Sequence, residues 1–314
     1  MGTRNFDLGA RDMKAAGRIA LEQGMSSFAS IDTMSDRWNR FVDYIREHHE
    51  IGRMELINQH VVIAYGAWLA DQVDEDLLEA STAQNYVSAV NRVLEIARGD
   101  HHVAVSPTRD CGIPLRSGIA LDNQYVSTSE HCDWLSHFNP SAQLMIRIQR
   151  AFGLRFEESA KFDARGAEAH ITAKVLPVVN GTKGGRVREV PICMDAQRAI
   201  LRTASQFQGG TRSLIPEEMS YAEFRRDCYR TAVRHGIRFH RQRHSYAYLR
   251  YKRLTGVECP VVAGIQHGEP HIAWLAHELK IYEADAKELD RTVREKIAQE
   301  LGHSRIEVTN AYLG

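Results

Sequence analysis

The chain has 314 residues, and its 40 Lys and Arg residues balance its 40 Asp and Glu residues, so the formal net charge is zero. Hydrophobic residues make up 43% and charged residues 25% of the sequence, a composition that indicates a globular protein and excludes a disordered one. No apolar run approaches the roughly 18 residues of a membrane span, no signal-peptide core is present at the start, and the five cysteines form no CxxC pair and are interpreted as reduced cytosolic thiols.

The first part of the chain has a helical pattern. Over residues 29–100, apolar residues recur at helical spacing, as in the run Trp38, Phe41, Val42 and Ile45. The following segment, GDHHVAVSPTRDCGIPL, breaks this pattern with Gly and Pro. Because a chain of this length usually forms two domains, we place a linker here and predict a helical domain over 1–105 and a second domain over 106–314.

The second domain begins with another helical block and then changes to strands. In SAQLMIRIQRAFGLRFEESAKF one stripe is apolar and comprises Leu144, Ile148 and Phe152. Two β-branched runs follow, AHITAKVLPVV and RVREVPI, joined by NGTKGG, in which Asn180-Gly181 is a hairpin signal. Helical patterns then continue to the end. The sequence therefore predicts a mainly α-helical protein with a small antiparallel β-sheet.

Charge is distributed unevenly in this second domain. Between residues 221 and 253 there are ten cations and two acids, a net charge of +8, the cations being Arg225, Arg226, Arg230, Arg234, Arg238, Arg241, Arg243, Arg250, Lys252 and Arg253. Between 257 and 301 the balance is acidic. A basic stripe of this kind suits a polyanion such as nucleic acid, although a solvated helix face would give the same pattern.

Four separated stretches carry side chains suited to phosphate chemistry. They are GLRFEE with Arg155, TKGGRVREVP with Lys183, HRQRH with His240 and Arg243, and the final ELGHSRIEVTNAYLG with His303 and Tyr312. Each stretch alone is typical of ordinary surface residues. Their order and their combined chemistry distinguish them: two Arg, one Lys, two His and one Tyr.

In this order the stretches resemble the tyrosine recombinase (phage integrase) family. The resemblance covers about residues 140–195, 237–255 and 291–313, with a looser helical similarity over 30–100. The family's boxes match Gly-Leu-Arg-x-x-Glu around Arg155, a Gly-rich hairpin lysine before Val-Pro, His-x-x-Arg-His, and Leu-Gly-His followed nine residues later by Tyr. The resemblance implies a two-domain, C-shaped DNA clamp made of a helical core-type DNA-binding domain and a catalytic domain.

The resemblance also implies a role for each of the six residues. Arg155 and Arg243 would hold the non-bridging oxygens of a phosphodiester, because guanidinium groups bind phosphate in a bidentate way. Tyr312 would attack phosphorus and form a 3′-phosphotyrosyl link, with His240 as the proton acceptor and His303 as a phosphate ligand. Lys183 would protonate the leaving 5′ oxygen. No metal or other cofactor is expected.

The chain departs from the family in two places. An additional segment near 257–290 lies between the second Arg and the Leu-Gly-His box, so that 59 residues separate Arg243 from His303. Within it, Pro270 fits a helix start and an apolar stripe is predicted at Ile272, Leu275, Leu279 and Tyr282. This segment is either a packing element or a partner surface. In addition, only two residues follow Tyr312, whereas many relatives continue into a further helix that docks on a neighbouring subunit.

A group of His and Glu side chains within the additional segment has no metal-site spacing. It comprises His267, Glu269, His271, His277 and Glu278, which match neither HExxH nor a zinc-finger pattern. We interpret this group as a solvated helix face.

We therefore predict a site-specific DNA recombinase that integrates or excises a mobile element. It would act on double-stranded DNA as a tetramer, with accessory DNA-bending or directionality factors, in the cytoplasm of a bacterium and in association with the nucleoid; no membrane partner is expected. Two alternatives remain. One is a nicking–rejoining enzyme like type IB topoisomerases, and the other is a DNA-binding regulator without catalysis, against which the complete set of six residues argues.

Overall fold

The computed structural model describes residues 4–75, 77–115, 118–182 and 185–314. The chain divides into two compact units, Met1–Ser117 and Gly118–Gly314. The sequence placed the boundary near residue 105. The division falls later because Val105, Cys111 and Ile113 are buried in the core of the first unit. None of the described helices is both long and apolar enough to cross a bilayer.

In its described residues, the first unit is a bundle of the helices α1 (Met13–Gly24), α2 (Phe28–His48), α3 (Gln59–Asp74) and α4 (Ala80–Arg98), with a 3₁₀ turn at Met54–Leu56. Its core contains the predicted residues Trp38 and Phe41, both fully buried. The Trp38 indole Nε1 donates to the carbonyl oxygen of Met13 at 2.7 Å, which ties α2 to α1. Helix α1 was not predicted, because its buried face consists largely of small residues and gives a weak periodic signal.

The second unit is mainly helical. Its helices are α5 (Thr128–Ser136), α6 (Pro140–Phe152), α7 (Phe156–Ala160), α8 (Ala164–Glu168), α9 (Asp195–Gln208), α10 (Tyr221–Arg234), α11 (His240–Thr255), α12 (Pro260–Ala263), α13 (Glu269–Leu279), α14 (Glu283–Glu300) and α15 (Asn310–Leu313), with a 3₁₀ turn at Ile306–Thr309. Asn139 caps α6, and Leu144, Ile148 and Phe152 are buried in the core as predicted. This helix therefore forms part of the framework on which the site is built.

A two-stranded antiparallel hairpin, β1 (Val175–Val178) and β2 (Arg188–Pro191), confirms the predicted sheet. The pairing is Leu176 with Val190 and Val178 with Arg188, and these four residues are buried. The strands are shorter than the two predicted runs. The segment before β1 forms turns instead, because the amide of Ile171 donates to the carbonyl oxygen of Glu168 and continues the turn after α8.

The additional segment folds as α12, α13 and the start of α14. Pro270 lies in the first turn of α13 as predicted. Leu275 is fully buried and packs with Ile272 and Leu279. Tyr282 is 82% exposed, so its assignment to the apolar stripe was wrong: it precedes α14 as the N-cap residue instead of continuing α13.

Candidate active site

The site is centred on Arg243, which the first turn of α11 carries into the protein interior, where the side chain is fully buried. Its Nε donates to the phenol oxygen of Tyr312 at 3.2 Å. Its Nη1 donates to the carbonyl oxygen of Gly153, and its Nη2 to that of Leu301. One guanidinium group therefore joins the end of α6, the end of α14 and the helix that carries Tyr312.

Two glycines allow these carbonyl groups to approach Arg243. Gly153 ends α6 with a φ of +64°, and an added Cβ would lie 2.6 Å from the ring of Tyr246. Gly302 follows α14 with a φ of +71°, and an added Cβ would lie 2.9 Å from the Cδ of Arg188. Both positions favour glycine because L-residues are strained in this region and no space is available for a side chain.

Arg155 lies at the start of α7 and is partly exposed. Its main-chain N–H donates to the Glu158 Oε2 at 2.7 Å and its Nη1 to the Glu158 Oε1 at 2.9 Å. Its Nη2 is 3.5 Å from the carbonyl oxygen of Leu301, the same oxygen that Arg243 binds. The two arginines predicted from separate boxes thus converge on one oxygen atom.

Arg188 is a third guanidinium group in this cluster, and the sequence reasoning missed it. Its two terminal nitrogens donate to the two oxygens of Glu158 at 2.6 Å each, and its Nε donates to the carbonyl oxygen of Glu300 at 2.8 Å. Strand alternation could have revealed it, because Arg188 lies two residues before the buried Val190 and so faces the core.

Burial of Glu158 would raise the pKa of its carboxyl group, but the hydrogen bonds and charge of Arg188, with those of Arg155, outweigh it and hold the pKa at about 2. Glu158 is therefore ionised at neutral pH. Three guanidinium groups, those of Arg155, Arg188 and Arg243, and one carboxylate leave this cluster with a charge of +2.

Three histidines surround the ring of Tyr312, with ring-centroid distances of 5.8 Å for His240, 4.7 Å for His244 and 5.6 Å for His303. Desolvation and the charge of Arg243 lower the pKa of His240 and His303 to about 4, so both are neutral at pH 7. His240 is exposed at the surface, but enough protein lies near its ring to desolvate the imidazolium form. The His303 Nε2 is 3.3 Å from the Arg243 Nη2, a contact in which the imidazole nitrogen must be the acceptor.

Tyr312 is buried in α15 and is 7% exposed. The structure therefore brings together five of the six predicted residues: Arg155, His240, Arg243, His303 and Tyr312. Lys183, the sixth, lies outside the described residues. The roles assigned to all six from the sequence remain proposals.

The basic stripe is divided between structure and surface. Seven of its cations are exposed, namely Arg225, Arg226, Arg230, Arg234, Arg238, Lys252 and Arg253. Of the others, Arg241 donates to Glu130 at 2.7 Å and Arg250 to Glu300 at 2.8 Å, and Arg243 is in the site. The stripe therefore combines exposed cations, which could bind an anion, with cations that are paired to carboxylates or lie in the site.

The His and Glu group of the additional segment does not lie on one exposed face. His277 is exposed, but His271 is buried, and its Nδ1 is 3.9 Å from the Asp290 carboxylate. The prediction of a solvated helix face is therefore wrong for His271. Among the described residues, no three His, Cys, Asp or Glu side chains are grouped so that they could hold a metal ion.

Solved structures of a site-specific recombinase and of integrases have a similar fold. A XerH recombinase bound to a palindromic difH substrate has a TM-score of 0.55 at 14% identity, over 96% of this chain and 79% of that one. The Tn1549 transposon integrase with transposon right end DNA gives 0.54 at 12% identity, over 99% and 95%. A lambda integrase dimer on a COC′ core site gives 0.53 at 16% identity, over 95% and 75%. The mainly helical recombinase fold predicted from the sequence is confirmed.

The family comparison agrees with the fold. Residues 122–252 match the family model described as Integrase, a segment that contains Arg155, His240 and Arg243. No curated protein matches the chain. The segment match and the shared fold both agree with the resemblance to the tyrosine recombinase (phage integrase) family seen in the sequence.

Proposed function

We propose that this protein is a site-specific DNA recombinase that cleaves and rejoins DNA through a 3′-phosphotyrosyl intermediate on Tyr312. The observation that carries the proposal is the hydrogen bond from Arg243 to the Tyr312 phenol beside Arg155. A buried phenol, two converging guanidinium groups and neutral imidazoles are the parts that attack on a phosphodiester requires. DNA binding alone gives no reason for this arrangement.

The charge of the cluster suits the transition state. A phosphodiester carries one negative charge, and the pentavalent species formed by attack carries two. The +2 charge of the cluster would balance that dianion, and the donors are fixed before the reaction begins, which is the condition for electrostatic catalysis. Arg155 and Arg243 would exchange the shared Leu301 carbonyl oxygen for the non-bridging oxygens of the phosphate.

Proton transfers complete the proposed reaction. The Tyr312 phenol must lose a proton as its oxygen bonds to phosphorus, and a neutral His240 can accept it. His303 would bond a phosphate oxygen. The leaving 5′ oxygen must gain a proton, which we assign to Lys183 by family resemblance. In rejoining, the 5′ hydroxyl attacks phosphorus, the Tyr312 oxygen leaves, and the proton transfers reverse.

The biological setting is proposed from the family resemblance and from the structural relatives, which are complexes with core-site, difH and transposon right end DNA. By analogy, this chain would bind double-stranded DNA, and four protomers would assemble on two sites, with accessory factors. Integration or excision of a mobile element is the corresponding role.

Trapping on nicked duplexes tests the enzyme activity. The substrate is a pool of duplexes that have randomised cores and a nick near the centre. Cleavage beside the nick releases a short fragment that carries the 5′ hydroxyl needed for rejoining, so the covalent adduct persists. The wild-type protein should retain DNA through denaturation in detergent, and the matched Tyr312→Phe variant should retain none while binding the same pool. Sequencing the retained DNA would give the site. Equal retention by both proteins would overturn the assignment of Tyr312.

A second assay separates recombination from nicking and rejoining alone. Two plasmid-borne copies of the recovered site should exchange strands in the presence of the wild-type protein. Relaxation of a supercoiled plasmid without exchange between sites would instead support the activity of a type IB topoisomerase.

A further inference from the structure

The helix that carries Tyr312 is too short to fix its own position. Helix α15 is a single turn, Asn310–Leu313, and an isolated helix of this length is unstable in water. Burial of Leu313 holds the turn against the core, but apolar contact is non-directional. The direction in which the phenol points must therefore be set by polar contacts made by other elements.

One buried side chain supplies these contacts. Arg294 of α14 is 3% exposed. Its Nη1 donates to the side-chain oxygen of Asn310 at 3.0 Å, and its Nη2 donates to the carbonyl oxygen of Gly314 at 2.9 Å. Asn310 begins α15 and Gly314 follows it, so a single guanidinium group binds both ends of the turn that carries Tyr312.

The guanidinium group is itself held in place. The Arg294 Nε donates to the Asp290 Oδ2 at 2.8 Å, one turn earlier on α14. The other oxygen of Asp290 accepts the hydroxyl of Tyr251, on α11, at 2.7 Å. Because a guanidinium group is rigid and planar, fixing its Nε also fixes the directions of the two donors that reach α15.

The additional segment also contacts the end of α15. The Nδ1 of His267 lies 2.9 Å from the carbonyl oxygen of Gly314. Since a carbonyl oxygen can only accept, Nδ1 carries the hydrogen. A Cβ added at Gly314 would lie 2.8 Å from the main-chain nitrogen of Val261 in α12. The end of α15 therefore rests against the additional segment.

We propose that Arg294 is a positioning residue that holds α15 in the orientation at which the Tyr312 phenol accepts a hydrogen bond from Arg243. We propose further that the additional segment at 257–290 of the same chain supplies the remaining contacts that hold α15. The effect on cleavage rests on the proposed function. The docking of Tyr312 does not, so the two parts can be tested separately.

Docking is measured without DNA by ¹⁹F NMR of protein in which 3-fluorotyrosine replaces tyrosine. Loss of a signal in Tyr312→Phe assigns the Tyr312 resonance. In Arg294→Lys the charge opposite Asp290 remains, but one ammonium group cannot reach both ends of α15. The Tyr312 resonance should then move toward the shift of an exposed tyrosine and gain a solvent isotope effect.

Two further variants separate positioning from loss of folding. Asn310→Ala leaves the Arg294–Asp290 pair intact and removes one acceptor, so it should move the same resonance by a smaller amount and add little in the Arg294→Lys background. Arg291→Lys is the matched control, because Arg291 lies on the same helix but is exposed and bonds only Glu288 and Glu295 among the described residues. It should leave the resonance unchanged.

Cleavage is measured in single turnovers at saturating DNA. A misplacement of about 1 Å can cost about 10²-fold in rate, so Arg294→Lys should lower the first-order rate about 10- to 100-fold with unchanged DNA affinity and a full final yield of adduct. A resonance that stays in place in both variants would overturn the inference, as would a moved resonance with a wild-type rate. Absence of adduct with the wild-type protein would refute the proposed function. The NMR result would still decide whether Arg294 positions α15.

Discussion

Replacing Glu158 by Gln tests the buried charge cluster most sharply. The substitution keeps the shape of the side chain but removes the charge that bonds Arg188 and Arg155. Arg188 would then remain buried without a counter-charge. Removing one partner of a buried ion pair typically costs about 3–5 kcal/mol.

The lowered pKa of Glu158, which the same two arginines cause, leads to a similar magnitude. Its ordinary value of 4.5 is lowered to about 2 in the folded protein. At about 1.4 kcal/mol per pH unit, the charged form stabilises the fold by about 3 kcal/mol. Because the folded-state pKa is the lower one, this stabilisation is complete above about pH 4.5 and is lost as the pH falls toward 2.

Urea denaturation at a series of pH values measures the effect. At pH 7, Glu158→Gln should lower the free energy of unfolding by about 3 kcal/mol, and the difference from wild type should shrink as the pH falls from 4.5 toward 2. The matched control is Glu157→Gln. Glu157 is a partly exposed neighbour that bonds Lys161, and pairs near the surface contribute less than about 1 kcal/mol. Equal losses in the two variants, or a difference that does not change with pH, would refute the argument.

Three further predictions concern the chemistry and the DNA. Arg243→Lys keeps a charge but loses the bidentate fork, so single-turnover cleavage and rejoining should both slow by about 10²–10³-fold; loss of only one of the two reactions would contradict this. Lys183→Ala should slow cleavage of normal DNA but recover when sulfur replaces the bridging 5′ oxygen, whereas Arg243→Lys should not recover; equal recovery of both variants would remove Lys183 from the acid role. Despite zero net charge, the logarithm of DNA affinity should fall with log salt by about 0.9 per phosphate neutralised, and a slope near zero would exclude an electrostatic clamp.

The sequence predicted those parts of the fold that depend on local pattern. Helix α6, its buried stripe and the hairpin after it follow from spacing over a few residues. The four boxes could be recognised as one site only through a family resemblance, because no local rule shows that Arg155 and Leu301, which are 146 positions apart, share a hydrogen bond.

The contacts that the sequence did not reveal are those between distant or oppositely charged residues. Arg188 sits in a strand as a buried cation, and its partner Glu158 lies 30 positions earlier. Arg241 and Arg250 were counted with a basic surface, but carboxylates from other elements bind them. Net charge per segment cannot distinguish a cation that faces solvent from one that is already paired.

The central claim is that Tyr312 bonds to DNA, and its direct test is mass spectrometry of a trapped adduct. After nuclease and trypsin digestion, the account predicts nucleotide mass on the peptide that contains Tyr312, joined through a 3′ phosphate. Nucleotide on any other residue, or cleaved DNA that ends in free phosphate with no peptide attached, would contradict it.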